Sequence, residues 1–130
     1  MAKIGVPWYK YTMANPIRRI LLHLEPGLRM AIDPTEVYVL EAMGGVTELR
    51  GRGFEPLIDV RPLGRLEELF EVHGFLRVHR NHMVNLNRVS EIRRREAGED
   101  WELLLDPPLN TVLPISRSRI ADVWQAYEGD

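Results

Sequence analysis

The sequence predicts a mainly β domain with one short internal helix and a C-terminal helix, and three observations carry that prediction. Its apolar residues fall in short runs rich in β-branched and aliphatic side chains, punctuated by Gly, Pro, Asn and Asp. Three pairs of such runs are separated by short clusters of turn residues, as in β-hairpins. Two segments instead place their apolar residues at helical spacing. At 130 residues the chain fits one domain. A domain of that size hides roughly two thirds of its unfolded surface, enough to bury a core without staples.

Taken in chain order, the first fifteen residues hold Trp8, Tyr9 and Tyr11 without a clear period, and read as an arm that docks on something. "RILLHLE" (19–25), "PG" and "LRMAID" (28–33) form the first predicted hairpin, and "EVYVLEA" (36–42), "MGG" and "VTELRGRG" (46–53) the second. "FEPLIDV" (54–60) adds a strand whose Pro56 suggests an edge or a bulge, because proline cannot donate to a ladder. In "RPLGRLEELFEVHG", Leu63, Leu66, Leu69, Phe70 and His73 follow helical spacing, with Pro62 at the start and Gly74 at the stop. "WELLLD" (101–106), "PPLN" and "TVLPIS" (111–116) form the third hairpin. In "SRSRIADVWQAYEGD", Ile120, Val123, Trp124 and Tyr127 fall on one stripe of a terminal helix that Ser116 or Ser118 is placed to cap.

Composition excludes several classes. With 45% hydrophobic and 28% charged residues, the chain is not broadly disordered. Its longest apolar runs are a few residues, too short to span a bilayer, so no membrane insertion is expected. No signal-peptide pattern opens the sequence and there is no cysteine, which points to a cytoplasmic protein. The formal charge of −2 argues against coating nucleic acid by bulk charge. The local distribution says more. Between Phe75 and Arg95 six arginines face the single acid Glu91, whereas Glu96 to Asp106 holds five acids and no base.

Catalytic and metal chemistry find little support in the motifs. His73, His79 and His82 match no zinc spacing, and on the predicted elements they fall on a helix end, a strand and a turn. No nucleophile elbow, P-loop or dinucleotide fingerprint is present, and Glu67, Glu68 and Glu71 sit where a helix wants a wet face. Neither an enzyme nor a cofactor is expected. "FLRVHRNHMVNLNRV" (75–89) is more informative. Alternation with Leu76 and Val78 inward puts Phe75, Arg77 and His79 on the opposite face, with "RNH" as a tight connection. Arg80 and Asn81 at that tip suit a major groove, where Arg forks onto guanine and Asn onto adenine. From composition alone, a solvated polar turn explains them better. In "LPISRSR" (113–119), Ser116, Arg117, Ser118 and Arg119 lie at a strand-to-helix junction. That place suits an anion, and it is also where an ordinary capped helix begins. "RRR" (93–95) offers charge to phosphates, or is simply part of a charged hairpin loop beside "EAGED".

Four blocks together resemble the LytTR family of DNA-binding domains. "FLRVHRNHMVNLNRVSEI" is similar to its central signature, "LPISRSRI" to its closing motif, "EVYVLEAMGGVTELR" to its opening hairpin and "RPLGRLEELF" to its short helix, in the family's order over roughly Leu28 to Trp124. The resemblance implies an elongated stack of mostly antiparallel sheets, with residues 1–27 as an N-terminal arm and first strand and 28–130 as the DNA-binding domain. It implies loops that reach successive major grooves of duplex DNA and often bend it. Base contacts are then expected at Arg80, Asn81, Ser116, Arg117 and Thr47, and phosphate contacts at Arg77, His82, Arg93, Arg94, Arg95, Ser118 and Arg119. Asn85 and His79 are expected to hold loop geometry.

Two departures accompany the resemblance: the first turn, "MGGV", has no basic or amide side chain, and Asn81 stands where the family more usually has a small serine. The segment before Leu28 is too short for the receiver domain that precedes many members, so regulation is expected from a partner, oligomerisation or expression level. The expected function is a transcription regulator that binds paired repeats in duplex DNA as a homodimer. The alternative is a protein-interaction module of the same fold, whose aromatic arm docks a membrane-bound or regulatory partner.

Overall fold

A computed structural model describes residues 17–96 and 98–129; the aromatic arm at Trp8, Tyr9 and Tyr11 lies outside the described residues. Strands β1 (Ile20–Glu25) and β2 (Leu28–Ile32) form the first hairpin. Pro26 and Gly27 close it, and Gly27 at φ +84 supplies the left-handed residue that a type II turn needs after proline. Strands β3 (Val37–Met43) and β4 (Val46–Gly51) are joined by Gly44 and Gly45, both at positive φ, which matches the twist of a two-residue hairpin. Strand β5 (Leu57–Asp59) pairs with β4 at the sheet edge, in keeping with Pro56 just before it.

Helix α1 (Leu63–Glu71) leads to the hairpin of β6 (Phe75–His79) and β7 (His82–Asn85). Strands β8 (Val89–Arg94), β9 (Trp101–Leu105) and β10 (Val112–Ile115) follow, and helix α2 (Ile120–Glu128) closes the chain. Strand β8 carries Arg93 and Arg94 on a ladder, so of the "RRR" run only Arg95 enters the loop. A five-stranded sheet in the order β5-β4-β3-β7-β6 and a three-stranded sheet in the order β10-β9-β8 are both antiparallel throughout.

The five-stranded sheet is loaded with apolar side chains on both faces. One core joins Ile20, Leu22 and Ile32 of the first hairpin to Leu40, Leu49 and Met83 of the sheet and to Leu63, Leu66 and Phe70 of α1. The other joins Val39, Val78 and Val84 to Leu103, Leu105, Leu113 and Ile115 of the three-stranded sheet and to Val123 of α2. This corrects the expected split of β6 into an inward and an outward row. Phe75 is buried edge-on against Phe70 at 5.0 Å in the first core, while Val78 is buried in the second. The alternation itself holds, since Leu76 packs with Val78 in the second core and the face opposite them is buried at Phe75; a register shift follows between Arg77 and His79. A similar shift in β3 sends Tyr38 and Val39 into the same core.

Polar ties fix the frame. The Asp59 carboxylate is fully buried and accepts from the His23 N–H at 2.9 Å, the Arg61 N–H at 2.9 Å and the Arg61 guanidinium at 2.8 and 2.9 Å. It bridges β1 to the end of β5. Burial pushes this carboxyl up, but those hydrogen bonds and the guanidinium charge outweigh it and hold it below the ordinary range. Asn85, also buried, donates to the Val37 carbonyl at 3.1 Å and accepts from the Asn87 N–H at 3.0 Å. It locks the exit of β7 to the start of β3, as expected of a residue that holds geometry.

Candidate nucleic-acid interface

The β6–β7 hairpin ends in the two-residue tip Arg80-Asn81, held by its main chain. The Arg80 carbonyl accepts from Arg77 Nη2. The Asn81 carbonyl accepts from the Ala42 N–H of β3 at 2.9 Å, and the Asn81 N–H donates to His79 Nδ1 at 3.1 Å. With the backbone satisfied at three points, both tip side chains are exposed, and Arg80 forms no ion pair among the described residues. His79 therefore shapes the loop, as the resemblance implied.

Beside the tip runs the segment Ser116 to Arg119. Its position is fixed by the Ser116 N–H, which donates to the Val78 carbonyl at 2.8 Å and ties the end of β10 to β6. Residues Arg117–Arg119 make one turn of 3-10 helix before α2. Neither Ser116 nor Arg119 caps a helix with its side chain, so the expected hydroxyl cap at Ser116 is absent. The turn closes instead through the Ser116 carbonyl, which accepts from the Arg119 N–H at 2.9 Å. Arg117, 79% exposed, donates through Nε to Asp100 Oδ1 at 2.7 Å. That hydrogen bond holds the Asp100 carboxyl below its ordinary range and raises Arg117. Ser118 is exposed, and Arg119 is half-buried without an ion pair among the described residues.

Three residues expected at DNA are buried or held by partners within the fold. Thr47 has no exposed surface, and its hydroxyl donates to the Arg61 carbonyl at 2.9 Å, so its side chain is turned into the fold and cannot touch a base. Arg77 commits both terminal nitrogens, Nη1 to Glu67 at 2.8 Å and Nη2 to the Arg80 carbonyl. Its guanidinium, 17% exposed, holds the tip and is not free for phosphate. His82 packs against His79 at 5.4 Å and lies 3.7 Å from Glu41. Burial pushes its imidazole below the ordinary value, Glu41 opposes this, and His79 and Arg50 add to it. At neutral pH it carries little charge for a phosphate.

The remaining basic residues divide by partner. Arg93 is bound to Glu102 at 2.9 Å and Glu91 at 3.2 Å, and Arg95 reaches the same Glu102 at 3.5 Å. Arg94 lies over the Trp101 ring at 5.2 Å and is exposed, with no carboxylate partner among the described residues. Sequence reading missed Glu67 and Asp100 as partners of the basic residues. In sequence Glu67 lies on the wet face of its helix and Asp100 in an acidic run, and neither pairing has a local signal.

The strand ends and loops that carry Arg80, Arg117 and Arg119 are thus joined by hydrogen bonds into one border of a two-core β domain, where exposed arginines are presented by loops. Arginines so placed can meet the phosphates and base edges of a nucleic acid. Residues 29–128 match the family model of the LytTr DNA-binding domain, and the chain belongs to that family. Over 92 residues it is 34% identical to the CO-responsive transcriptional regulator RcoM of Rhodospirillum rubrum, a match that covers 68% of this chain and 36% of that protein. The chain therefore spans about a third of that relative's length. Among solved structures it is similar to one described as the LytTr DNA-binding domain of a methyl-accepting/DNA response regulator from Bacillus cereus, with a TM-score of 0.68 and 19% identity. That likeness covers 86% of this chain and 98% of the other, and at such identity it shows a shared fold.

Proposed function

We propose that the chain is a sequence-specific, duplex-DNA-binding transcription regulator that places loops in successive major grooves, two protomers together on paired repeats. Arg80 and Asn81 read bases from the β6–β7 tip, and Ser116 and Arg117 read them from the turn before α2. Ser118, Arg119 and Arg94 meet phosphates, which supply most of the affinity and its salt dependence. Arg93, held through Nε by Glu102 and through Nη1 by Glu91, ranks behind these three, whereas Arg95 meets Glu102 through Nε at 3.5 Å and keeps its end for phosphate.

The observation that carries this reading is the tip itself. Its backbone is pinned to Arg77, Ala42 and His79 while the Arg80 and Asn81 side chains remain exposed. A base reader gains from a side chain launched from such a fixed point. Selecting bound duplexes from a random pool with the purified full chain tests the reading. The expected result is a recovered repeat whose binding weakens steeply with added salt. Failure of the folded protein to shift any duplex at low salt overturns the proposal and favours the protein-interaction module.

A further inference from the structure

We infer that Asp100 is a specificity-determining positioning residue, which holds Arg117 by its Nε so that the two terminal guanidinium nitrogens meet one guanine. The inference rests on the proposed base contact by Arg117. An arginine carries donors along two edges: the side edge that includes Nε, and the end formed by Nη1 and Nη2. Asp100 Oδ1 takes Nε at 2.7 Å, and the terminal nitrogens have no partner among the described residues. A bidentate contact to guanine O6 and N7 needs two parallel donors, and the free end provides them.

Asp100 is itself held in place. Its carbonyl accepts from the Arg95 N–H at 2.7 Å, and it immediately precedes β9, so the carboxylate is anchored to the three-stranded sheet rather than to a loose loop. Both members of the pair are substantially exposed, 79% for Arg117 and 44% for Asp100, and an exposed ion pair contributes little to folding. Stability therefore does not explain it. Its effect on recognition does. A bare exposed arginine binds any phosphate, because attraction between point charges is indifferent to sequence. With Asp100 attached, the pair is close to neutral, its pull on phosphate is weakened, and its directional donors remain.

The test uses the full chain, a random duplex pool, and the best duplex recovered by the wild-type protein together with its single-base variants. Arg117→Ala identifies the operator position that Arg117 reads. Asp100→Ala is expected to reduce the base preference at that same position about tenfold and to leave the other positions intact, as loss of a bidentate base contact does. Asp100→Asn keeps an acceptor oxygen and is expected to recover part of the preference. Circular dichroism checks that each variant folds.

If Asp100→Ala keeps the full wild-type preference at that position, the inference is overturned, and a uniform rise in affinity for all duplexes would then identify Asp100 as merely repulsive. If the wild-type protein itself recovers no motif, the DNA-reading proposal fails first, and the two failures are thereby told apart.

Discussion

Replacing Arg77 with alanine separates two roles for a largely buried charge: holding the tip and contacting phosphate. The structure assigns it to the tip, through Glu67 at 2.8 Å and the Arg80 carbonyl. A hydrogen bond from a charged donor to a carbonyl is worth about 1.5–3 kcal/mol, and a partly exposed ion pair contributes about 1 kcal/mol or less. Against these, Arg77 Nε is buried without a hydrogen-bond partner, and its removal returns about 1 kcal/mol. The net expectation is a loss of about 1–3 kcal/mol in folding stability. On DNA, affinity for the preferred duplex falls because Arg80 is launched from a looser backbone. The salt slope stays at its wild-type value, because no phosphate contact is lost. Urea unfolding measures the first effect, and binding across a series of salt concentrations measures the second. Unchanged stability together with a salt slope lower by about one unit would refute the reasoning, since that is the signature of a lost phosphate contact.

Arg80→Ala is expected to weaken binding to the preferred duplex by about 1–3 kcal/mol and relax its specificity, whereas Arg119→Ala weakens all duplexes and lowers the salt slope by about one. Equal effects of the two on selected and random duplexes, measured at matched salt, would contradict that division. A methyl group added at Gly51 would stand 1.9 Å from the Glu36 carbonyl oxygen and 2.9 Å from the Phe54 ring. Gly51→Ala is therefore expected to destabilise by about 1–3 kcal/mol in denaturant titration. Asp59→Asn removes a buried, fully partnered carboxylate and is expected to lose about 2–4 kcal/mol at neutral pH. Because the folded carboxyl lies below its unfolded value, its contribution is complete above the unfolded pKa and disappears as pH falls through the folded one. The wild-type advantage over Asp59→Asn should thus shrink below about pH 4 in unfolding curves, and a pH-independent gap would contradict the assignment.

Local chemistry made much of the fold legible. The turns at Pro26-Gly27 and Gly44-Gly45 are written in residues that tolerate positive φ, and α1 is written in the spacing of Leu63, Leu66 and Phe70. What local chemistry cannot express is which face a strand turns to which partner. Phe75 was expected outward because one buried face was assumed, and the sheet has two. Thr47, just after the first turn, is expected at a base, yet its hydroxyl is spent on the Arg61 carbonyl, fourteen residues along the chain. The candidate site follows the same rule. The exposed positions of Arg80 and Arg117 agree with the motif reading, but Glu67 and Asp100 meet their arginines across 10 and 17 residues of sequence, a separation that no local pattern spans.

The tip at Arg80 and Asn81 is secured through carbonyl and amide groups that every residue except proline possesses in full. Its side chains contribute nothing to that attachment, so they are free to vary without disturbing the scaffold. On the proposed reading, exchange of either side chain is expected to change which base pairs are favoured while the hairpin keeps its position. If the tip reads bases as proposed, operator preference is open to revision one substitution at a time, with the fold of the hairpin insulated from the change.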